Sequence, residues 1–179
     1  LPSWVQEIRP QQRDATEAIL DGFARGMNVM IVNGPTGAGK TLIAEMVRLR
    51  LGARATYVAH SHSLQDQFLN DFDNARVLKG RANYPTLSER RNYTAADCGG
   101  SDCDLCEPIS ACPYLTAKYA AIRADIAVLN TNYLLTYRQD DYIRPFMILD
   151  EADTLESVLM GHCEFRLTRG FMRSKGWEP

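Results

Sequence analysis

The octapeptide GPTGAGKT at residues 34–41 restricts the possible folds of this chain more than any other stretch. It fits the full pattern G-x-x-x-x-G-K-[ST], in which glycines bend the backbone so that its N–H groups surround a phosphate. An apolar run of strand length precedes it at residues 27–33, and residues 42–51 carry apolar side chains at helical spacing. A strand, a phosphate loop and a helix in this order predict a nucleotide-binding α/β domain.

The last two residues of the loop have predicted roles in binding the nucleotide. Lys40 would reach the terminal phosphates, and the hydroxyl of Thr41 would hold Mg²⁺. The predicted nucleotide-binding residues of the loop are Gly34, Thr36, Gly37, Ala38, Gly39, Lys40 and Thr41. A glycine-rich turn with an unrelated lysine is the alternative. The loop alone indicates a nucleotide and leaves the reaction open.

A short acidic sequence follows a late apolar strand. Residues 146–149 (FMIL) run directly into Asp150, Glu151, Ala152 and Asp153. Asp150 could accept a hydrogen bond from water bound to Mg²⁺, and Glu151 could orient and deprotonate the attacking water. An acidic helix start is the alternative for this tetrapeptide taken alone. Its place after a complete phosphate loop predicts Lys40, Asp150 and Glu151 as the catalytic residues.

Length and charge narrow the class of protein. The chain has 179 residues, of which 45% are hydrophobic, enough for one principal core with a small insertion. A formal net charge of -2 gives no overall basic field, although a groove for a DNA strand can still be locally basic. Without a signal peptide or a long apolar run, we expect an intracellular protein, in the cytoplasm, nucleoid or nucleus, with no membrane partner.

The other periodic segments complete an alternating α/β pattern. A helix is predicted from Pro10 to Gly26. Strands are predicted at residues 55–59, 75–78 and 125–129, and helices at residues 61–68 and 114–123. Ser61 or Ser63 would cap the helix after the first of these strands, at the sheet edge where ligands of open α/β sheets bind. His60 and His62 fit capping or phosphate contact better than a metal site.

Four cysteines lie in or beside a stretch of low periodicity at residues 85–110. Cys98, Cys103, Cys106 and Cys112 form the pattern C-x4-C-x2-C-x5-C, which supplies thiolates for one tetrahedral zinc or one four-iron cluster. In an intracellular P-loop protein this spacing indicates a metal rather than disulfides. The spacing does not choose between zinc and iron. The fifth cysteine, Cys163, is expected to be a buried small apolar residue.

Cations and aromatic side chains are interleaved around the start of this stretch. The residues are Lys79, Arg81, Tyr84, Arg90, Arg91 and Tyr93. Cations bind phosphates and aromatic rings stack on bases, so the composition fits a track for single-stranded DNA. A solvated loop with ordinary surface arginines is the alternative.

Together these motifs resemble the first motor domain of the superfamily 2 DNA helicases of the XPD/DinG type. RPQQ at residues 9–12 is similar to their R-P-x-Q adenine motif, and GPTGAGKT to their motif I. HSHSLQDQ at residues 60–67 is similar to their T-x-T-x-x-L-Q-x-Q segment. KGRANY, the CPYLTAKYAAIRADIAVLNTNYLL segment and DEAD follow in the order of that family, so the resemblance covers most of residues 9–157.

The resemblance implies a RecA-like α/β fold, with a mainly parallel sheet flanked by helices, and the activity of an ATP-dependent DNA helicase. It implies ATP, Mg²⁺ and a 4Fe-4S cluster as cofactors, with Zn²⁺ as the alternative to the cluster, and single-stranded or forked DNA as the partner. Arg9 and Gln12 would bind the adenine, with Gln12 as the base reader. The implied DNA contacts are Ser61, His62, Gln67, Arg81, Asn83 and Tyr84. The implied motor domain comprises residues 1–79 and 113–179, and residues 80–112 form the metal-binding insertion.

The chain departs from the family pattern in three places. Pro85 and Thr86 stand where the first cluster cysteine is expected, so Cys98 would take that role, or the cluster would be altered or replaced by zinc. Asp153 stands in place of the histidine of a DEAH sequence, which should disturb communication with DNA more than Mg²⁺ binding. The second RecA-like domain of such helicases is not in this sequence. We therefore expect a piece of a longer protein that binds nucleotide weakly and turns it over slowly.

Two other classes of function fit part of the pattern. A P-loop kinase or small-molecule ATPase would share Lys40, Thr41 and Asp150, but it would leave RPQQ, HSHSLQDQ and the cysteines unexplained. A nucleotide-gated DNA-binding or scaffold module with a structural zinc would fit a chain with one motor domain.

Overall fold

The computed structural model describes residues 2, 5–87, 93–98, 111–136, 144–164 and 169–176. In chain order the helices and strands are α1 (Pro10–Ala24), α2 (Lys40–Leu51), β1 (Ala55–Ala59), α3 (His62–Asp71), β2 (Ala75–Leu78), α4 (Pro113–Arg123), β3 (Ile126–Asn130), α5 (Thr131–Thr136), β4 (Phe146–Leu149), α6 (Leu155–Cys163) and α7 (Arg169–Ser174). Short 3-10 turns occur at Arg81–Asn83, Ala95–Asp97 and Ala152–Thr154. Strands β1, β2 and β4 have the predicted bounds, and β3 is shifted by one residue.

Within the described residues, the strands form one parallel sheet in the order β2-β3-β1-β4. Strand β1 lies between two others, so that Tyr57 pairs with Val128 of β3 on one side and with Ile148 of β4 on the other. Every residue of β1 is buried, as expected for a strand covered on both faces. The parallel sheet with intervening helices confirms the predicted α/β class.

Helices cover both faces of the sheet because consecutive residues of a strand point to opposite sides. Along β3, Ile126 and Val128 pack in a cluster with Phe68 of α3. Ala127 and Leu129, between and beyond them, pack in a second cluster to which α4 contributes. Burial on both faces explains the nearly continuous apolar sequences of β1 and β3, whereas Met147 and Leu149 of β4 are exposed.

The first two helices form a third apolar cluster, beside the phosphate loop. Ile19 of α1 packs with Ile43 and Val47 of α2, and Phe146 of β4 lies against them. The ring centroids of Phe146 and Phe23 are 6.2 Å apart in an edge-to-face arrangement. This cluster joins the helix that follows the loop to the strand that leads into Asp150.

The predicted strand at residues 27–33 does not form. These residues lie outside any strand, and Val29 and Ile31 are 77% and 90% exposed. Apolar composition predicts burial, but a strand also needs a neighbour whose backbone groups face its own. Met30 instead packs toward α1 beside Gly22, where a Cβ would collide with the methionine sulfur.

The carboxyl ends of the strands lie at one edge of the sheet. Ala59 at the end of β1 pairs with Asn130 at the end of β3, and Val58 pairs with Leu149 at the end of β4. The residues that follow these strands therefore gather at this edge, where open α/β sheets bind ligands. No helix in the described ranges is long and apolar enough to span a membrane.

Candidate nucleotide-binding site

The glycines of residues 34–41 adopt backbone angles that a phosphate loop requires. Gly37 and Gly39 have φ angles of +79° and +80°, a left-handed conformation that disfavours residues with a Cβ. At Gly39 a Cβ would also collide with the side chain of Gln12. Helix α2 begins at Lys40, so the N–H groups of its first turn lie directly beside the loop. The predicted strand before the loop is missing, but the loop and the helix after it are present.

The ammonium group of Lys40 lies against the loop itself. Its Nζ donates to the carbonyl oxygens of Gly34 at 2.8 Å and Pro35 at 3.3 Å. A phosphate oxygen would be a stronger acceptor than either neutral carbonyl because it carries charge. Lys40 thus lies beside the loop, and its contact with phosphate stays a prediction.

The start of α1 is hydrogen-bonded to the same loop. Arg9 donates through Nη1 to the carbonyl of Gly37 at 3.1 Å, and Gln12 donates through Nε2 to that of Ala38 at 3.1 Å. The Oε1 atom of Gln12 accepts from the backbone N–H of Arg9 at 3.0 Å, and Gln12 is buried. Both residues thus lie at the predicted nucleotide site. Because the amide of Gln12 already binds protein groups at both ends, its predicted role as the base reader stays a prediction.

The acidic residues continue from the end of β4. The N–H of Asp150 donates to the carbonyl of Val58 at 3.0 Å, which extends the β1–β4 pairing by one residue. One carboxylate oxygen of Asp150, Oδ1, accepts from the N–H of Glu151 at 3.0 Å. Glu151 is exposed and has a φ angle of +50°, a left-handed conformation that is rare for a residue with a side chain. Thr154 stabilises this turn by donating its N–H at 2.9 Å and its hydroxyl at 2.8 Å to the carbonyl of Glu151.

A buried tyrosine joins the acidic residues to the loop. The hydroxyl of Tyr57, in the middle of β1, donates to Oδ2 of Asp150. Burial raises the pKa of Tyr57, the hydrogen bond to Asp150 raises it further, and a side-chain hydrogen bond with Thr41 lowers it. Thr41 and Asp150, which are far apart in the sequence, therefore meet at one hydroxyl group. No sequence motif identifies Tyr57, although a tyrosine inside the otherwise apolar strand ATYVA was an available signal.

The oxygen atoms gathered here suit a magnesium ion. Mg²⁺ prefers hard oxygen ligands, usually one or two protein groups together with water and substrate phosphates. The hydroxyl of Thr41 and the carboxylate of Asp150 are such groups; Asp150 accepts from Tyr57, and Thr41 affects the pKa of the same tyrosine. The residues predicted to hold Mg²⁺ thus fit the ion in chemical type, and the binding of Mg²⁺ by them stays a prediction.

Residues predicted to contact DNA lie at the start of α3. Ser61 caps this helix, and its Oγ accepts from the N–H of Leu64 at 3.3 Å. His62 is exposed, with its Nε2 3.5 Å from the side-chain nitrogen of Asn130, and Gln67 is exposed on the helix. Among the described residues, no group of three or more His, Cys, Asp or Glu side chains is arranged so that it could hold a metal ion.

Side chains of the KGRANY segment, residues 79–84, contact the interior of the protein. Arg81 donates to the carbonyl of Cys98 at 3.0 Å, and its guanidinium lies 5.5 Å from the ring centroid of Tyr114. The hydroxyl of Tyr84 accepts from the N–H of Lys79 at 3.0 Å, and burial raises the pKa of Tyr84. Asn83 is exposed and donates to the carbonyl of Gly80 at 3.0 Å. DNA contact by Arg81, Asn83 and Tyr84 remains a prediction. The side chains of Arg81 and Tyr84 also contact other residues of the protein.

The predicted metal site is described only at its two ends. Cys103 and Cys106, like Arg90 and Arg91, lie outside the described residues. Cys98 is half-buried, and Cys112 is buried in a cluster with Ala95 and Tyr114. Cys163 is exposed, contrary to the expectation that it is buried, because none of the residues of α6 packs into the core.

Comparisons with known proteins find a related sequence and fold. A family model described as "Type III restriction enzyme, res subunit" matches residues 6–154. The ATP-dependent DNA helicase XPD of Sulfolobus acidocaldarius is 22% identical over 187 aligned residues, which cover 85% of this chain and 34% of that protein. The chain thus spans about a third of the length of this curated relative. A solved structure described as truncated XPD has a TM-score of 0.60 at 19% identity, over 88% of this chain and 55% of the other.

Proposed function

Since this chain belongs to the family of the type III restriction enzyme res subunit, we propose that it is the nucleotide-binding motor domain of an ATP-dependent DNA helicase. The match to XPD supports the proposal, and it confirms the resemblance to the XPD-type helicases that the motifs indicate. The structural match confirms the RecA-like fold. In the whole protein, ATP hydrolysis would drive movement along single-stranded DNA and separation of a forked duplex.

One observation carries this proposal. Asp150 at the end of β4 accepts a hydrogen bond from the hydroxyl of Tyr57, and Thr41 of the phosphate loop lies close enough to that hydroxyl to affect its pKa. A loop threonine and a strand-end aspartate are the groups that hold Mg²⁺ in P-loop NTPases. A P-loop kinase shares these two groups, and the match to XPD favours the helicase. Glu151, the residue after Asp150, supplies a second carboxylate at the same place.

The residues of the site divide the work of hydrolysis. The N–H groups of the loop and Lys40 would bind the phosphates of ATP, and Thr41 and Asp150 would hold Mg²⁺. Bound Mg²⁺ neutralises phosphate charge that develops during the reaction. Glu151 would orient a water molecule and take its proton while the water oxygen forms a bond to the terminal phosphorus. The bond from that phosphorus to the bridging oxygen breaks, and ADP leaves with its electron pair.

Two of the residues predicted to contact DNA, Ser61 and His62, follow β1. Helix α3 starts three residues after the end of β1, at the edge of the sheet where Asp150 follows β4. A DNA strand bound at Ser61 and His62 would therefore be bound beside the nucleotide. A metal site of Cys98, Cys103, Cys106 and Cys112, holding a 4Fe-4S cluster or Zn²⁺, remains part of the proposal for the insertion at residues 80–112.

A nucleotide titration of the chain tests the proposal. Fluorescent ATP analogue with Mg²⁺ should bind the wild-type chain and should bind Lys40→Ala about tenfold more weakly, because charge-assisted hydrogen bonds to phosphate are lost. Lys118→Ala on α4 is the matched control and should leave the affinity unchanged. Equal affinity for the wild type and Lys40→Ala would contradict a phosphate site at the loop.

The response to single-stranded DNA distinguishes a helicase from other ATP-binding proteins. Addition of an oligothymidine strand should change the affinity for the analogue if one domain binds both ligands, since coupling between sites is reciprocal. A kinase or small-molecule ATPase would give the same titration with and without DNA. That result would overturn the helicase assignment and leave the nucleotide site intact.

A further inference from the structure

The hydroxyl of Tyr57 has a defined place in a short hydrogen-bonded series. Tyr57 is 3% exposed, and its hydroxyl donates to Oδ2 of Asp150. Thr41 of the phosphate loop lies close enough to this hydroxyl to affect the pKa of Tyr57. The series itself runs from the hydroxyl of Tyr57 through the carboxylate of Asp150 to the N–H of Glu151.

This series leaves the right atoms available for a metal ion. The Oδ2 atom of Asp150 accepts from the hydroxyl of Tyr57. Its Oδ1 atom accepts from the N–H of Glu151 at 3.0 Å. With one hydrogen bond at each oxygen, the plane of the carboxylate is fixed, and each oxygen still has a lone pair.

The ring of Tyr57 is itself held in place. It packs on Phe68 of α3 with 3.9 Å between the ring centroids, and Phe68 stacks on Phe72 at 4.4 Å. The backbone of Tyr57 is paired on both sides, with β3 and with β4. The hydroxyl of Tyr57 is therefore held in one position.

We propose that Tyr57 is a positioning residue that presets Asp150 as a ligand of the magnesium–nucleotide complex. It does not touch the nucleotide in this role; it orients the carboxylate that holds the ion. The inference rests on the proposed nucleotide-binding function and adds a third residue to the magnesium site. Preset ligands bind an ion more tightly because less freedom is lost when it arrives.

The substitution Tyr57→Phe tests the role because it removes only the hydroxyl. Mg²⁺ is titrated into the chain with a fixed amount of fluorescent ATP analogue, and the Mg²⁺ concentration at half-saturation is measured. We expect it to rise about tenfold, the effect of one lost hydrogen bond to a charged group. Binding of the analogue in EDTA should be unchanged, since the loop N–H groups and Lys40 are not altered.

The matched control is Tyr133→Phe. Tyr133 is another buried tyrosine, with its hydroxyl 3.1 Å from that of Tyr114, and this pair lies in a different apolar cluster from Tyr57. Its loss should leave the Mg²⁺ titration unchanged, and thermal melting of both variants shows whether each one folds. If Tyr57→Phe weakens binding equally with and without Mg²⁺, or does not change it, the positioning role is wrong. If the wild type shows no binding of the analogue, the proposed function itself fails.

Discussion

At the scale of single residues, a buried arginine joins several parts of the fold. Arg144 is 8% exposed and lies just before β4. Its Nη1 donates to the carbonyls of Ala55 at 2.9 Å and Asp125 at 2.8 Å, and its Nη2 to those of Ala121 at 2.7 Å and Ile122 at 3.2 Å. One planar guanidinium thus satisfies carbonyls at the start of β1, before β3 and at the end of α4. A cation at a helix C-terminus is also favoured by the helix dipole.

We expect Arg144→Leu to lower the free energy of unfolding by about 3 kcal/mol, because buried carbonyl groups lose their donors. Urea denaturation followed by circular dichroism measures the change. Arg25→Leu is the control, since Arg25 forms an exposed pair with Asp21 at 2.5 Å and such pairs contribute about 1 kcal/mol or less. Similar losses of unfolding free energy in both variants would show that the buried hydrogen bonds of Arg144 contribute no more than an exposed ion pair.

At the scale of elements, the short link between β1 and α3 decides where the predicted DNA contacts lie. β1 ends at Ala59 and α3 begins at His62, and the side chain of Ser61 caps the helix by accepting from the N–H of Leu64. The cap fixes the start of the helix at the carboxyl edge of the sheet, and Phe68 anchors its buried face. The position of α3 thus follows from one polar cap and one apolar contact.

The cap predicts a difference between two neighbouring serines. Ser61→Ala should lower the free energy of unfolding by about 1 kcal/mol, since an N–H of the first helical turn loses its acceptor. Ser63 is exposed within the same turn, and Ser63→Ala should have little effect because alanine favours a helix. Chemical denaturation of both variants measures the difference, and an equal response would argue against a capping role for Ser61.

At the scale of the whole molecule, the predicted insertion at residues 80–112 contacts the rest of the chain at both of its described ends. The carbonyl of Cys98 accepts from Arg81, whose guanidinium lies over the ring of Tyr114. Cys112 immediately precedes α4 and packs in the same cluster as Tyr114. The segments that carry Cys98 and Cys112 thus contact the same part of the protein, next to Tyr114, and the metal site stays a prediction.

Metal analysis after anaerobic purification tests this site. We expect about four irons with matching sulfide per chain for a 4Fe-4S cluster, or one zinc for a structural site. Cys98→Ser should lose the metal, whereas Cys163→Ser should keep it because that thiol is exposed on α6, outside the proposed ligand set. A wild-type chain with neither metal, or a Cys98→Ser chain with full metal content, would contradict the four-cysteine site.

The sequence by itself determined the local elements and the chemical character of the site. The phosphate loop, the DEAD sequence and the bounds of β1, β2 and β4 all follow from spacing along the chain. These are local properties, since glycine conformation, helical period and apolar runs depend on residues close together in sequence.

Only the tertiary structure decided which segments meet. It set the strand order β2-β3-β1-β4, left residues 27–33 outside any strand, and engaged the amide of Gln12 with the loop. It also brought Thr41 and Asp150 to the hydroxyl of Tyr57. The physical reason is that strand pairing and the partners of a buried polar group depend on contacts between distant parts of the chain, and a local pattern carries no record of them.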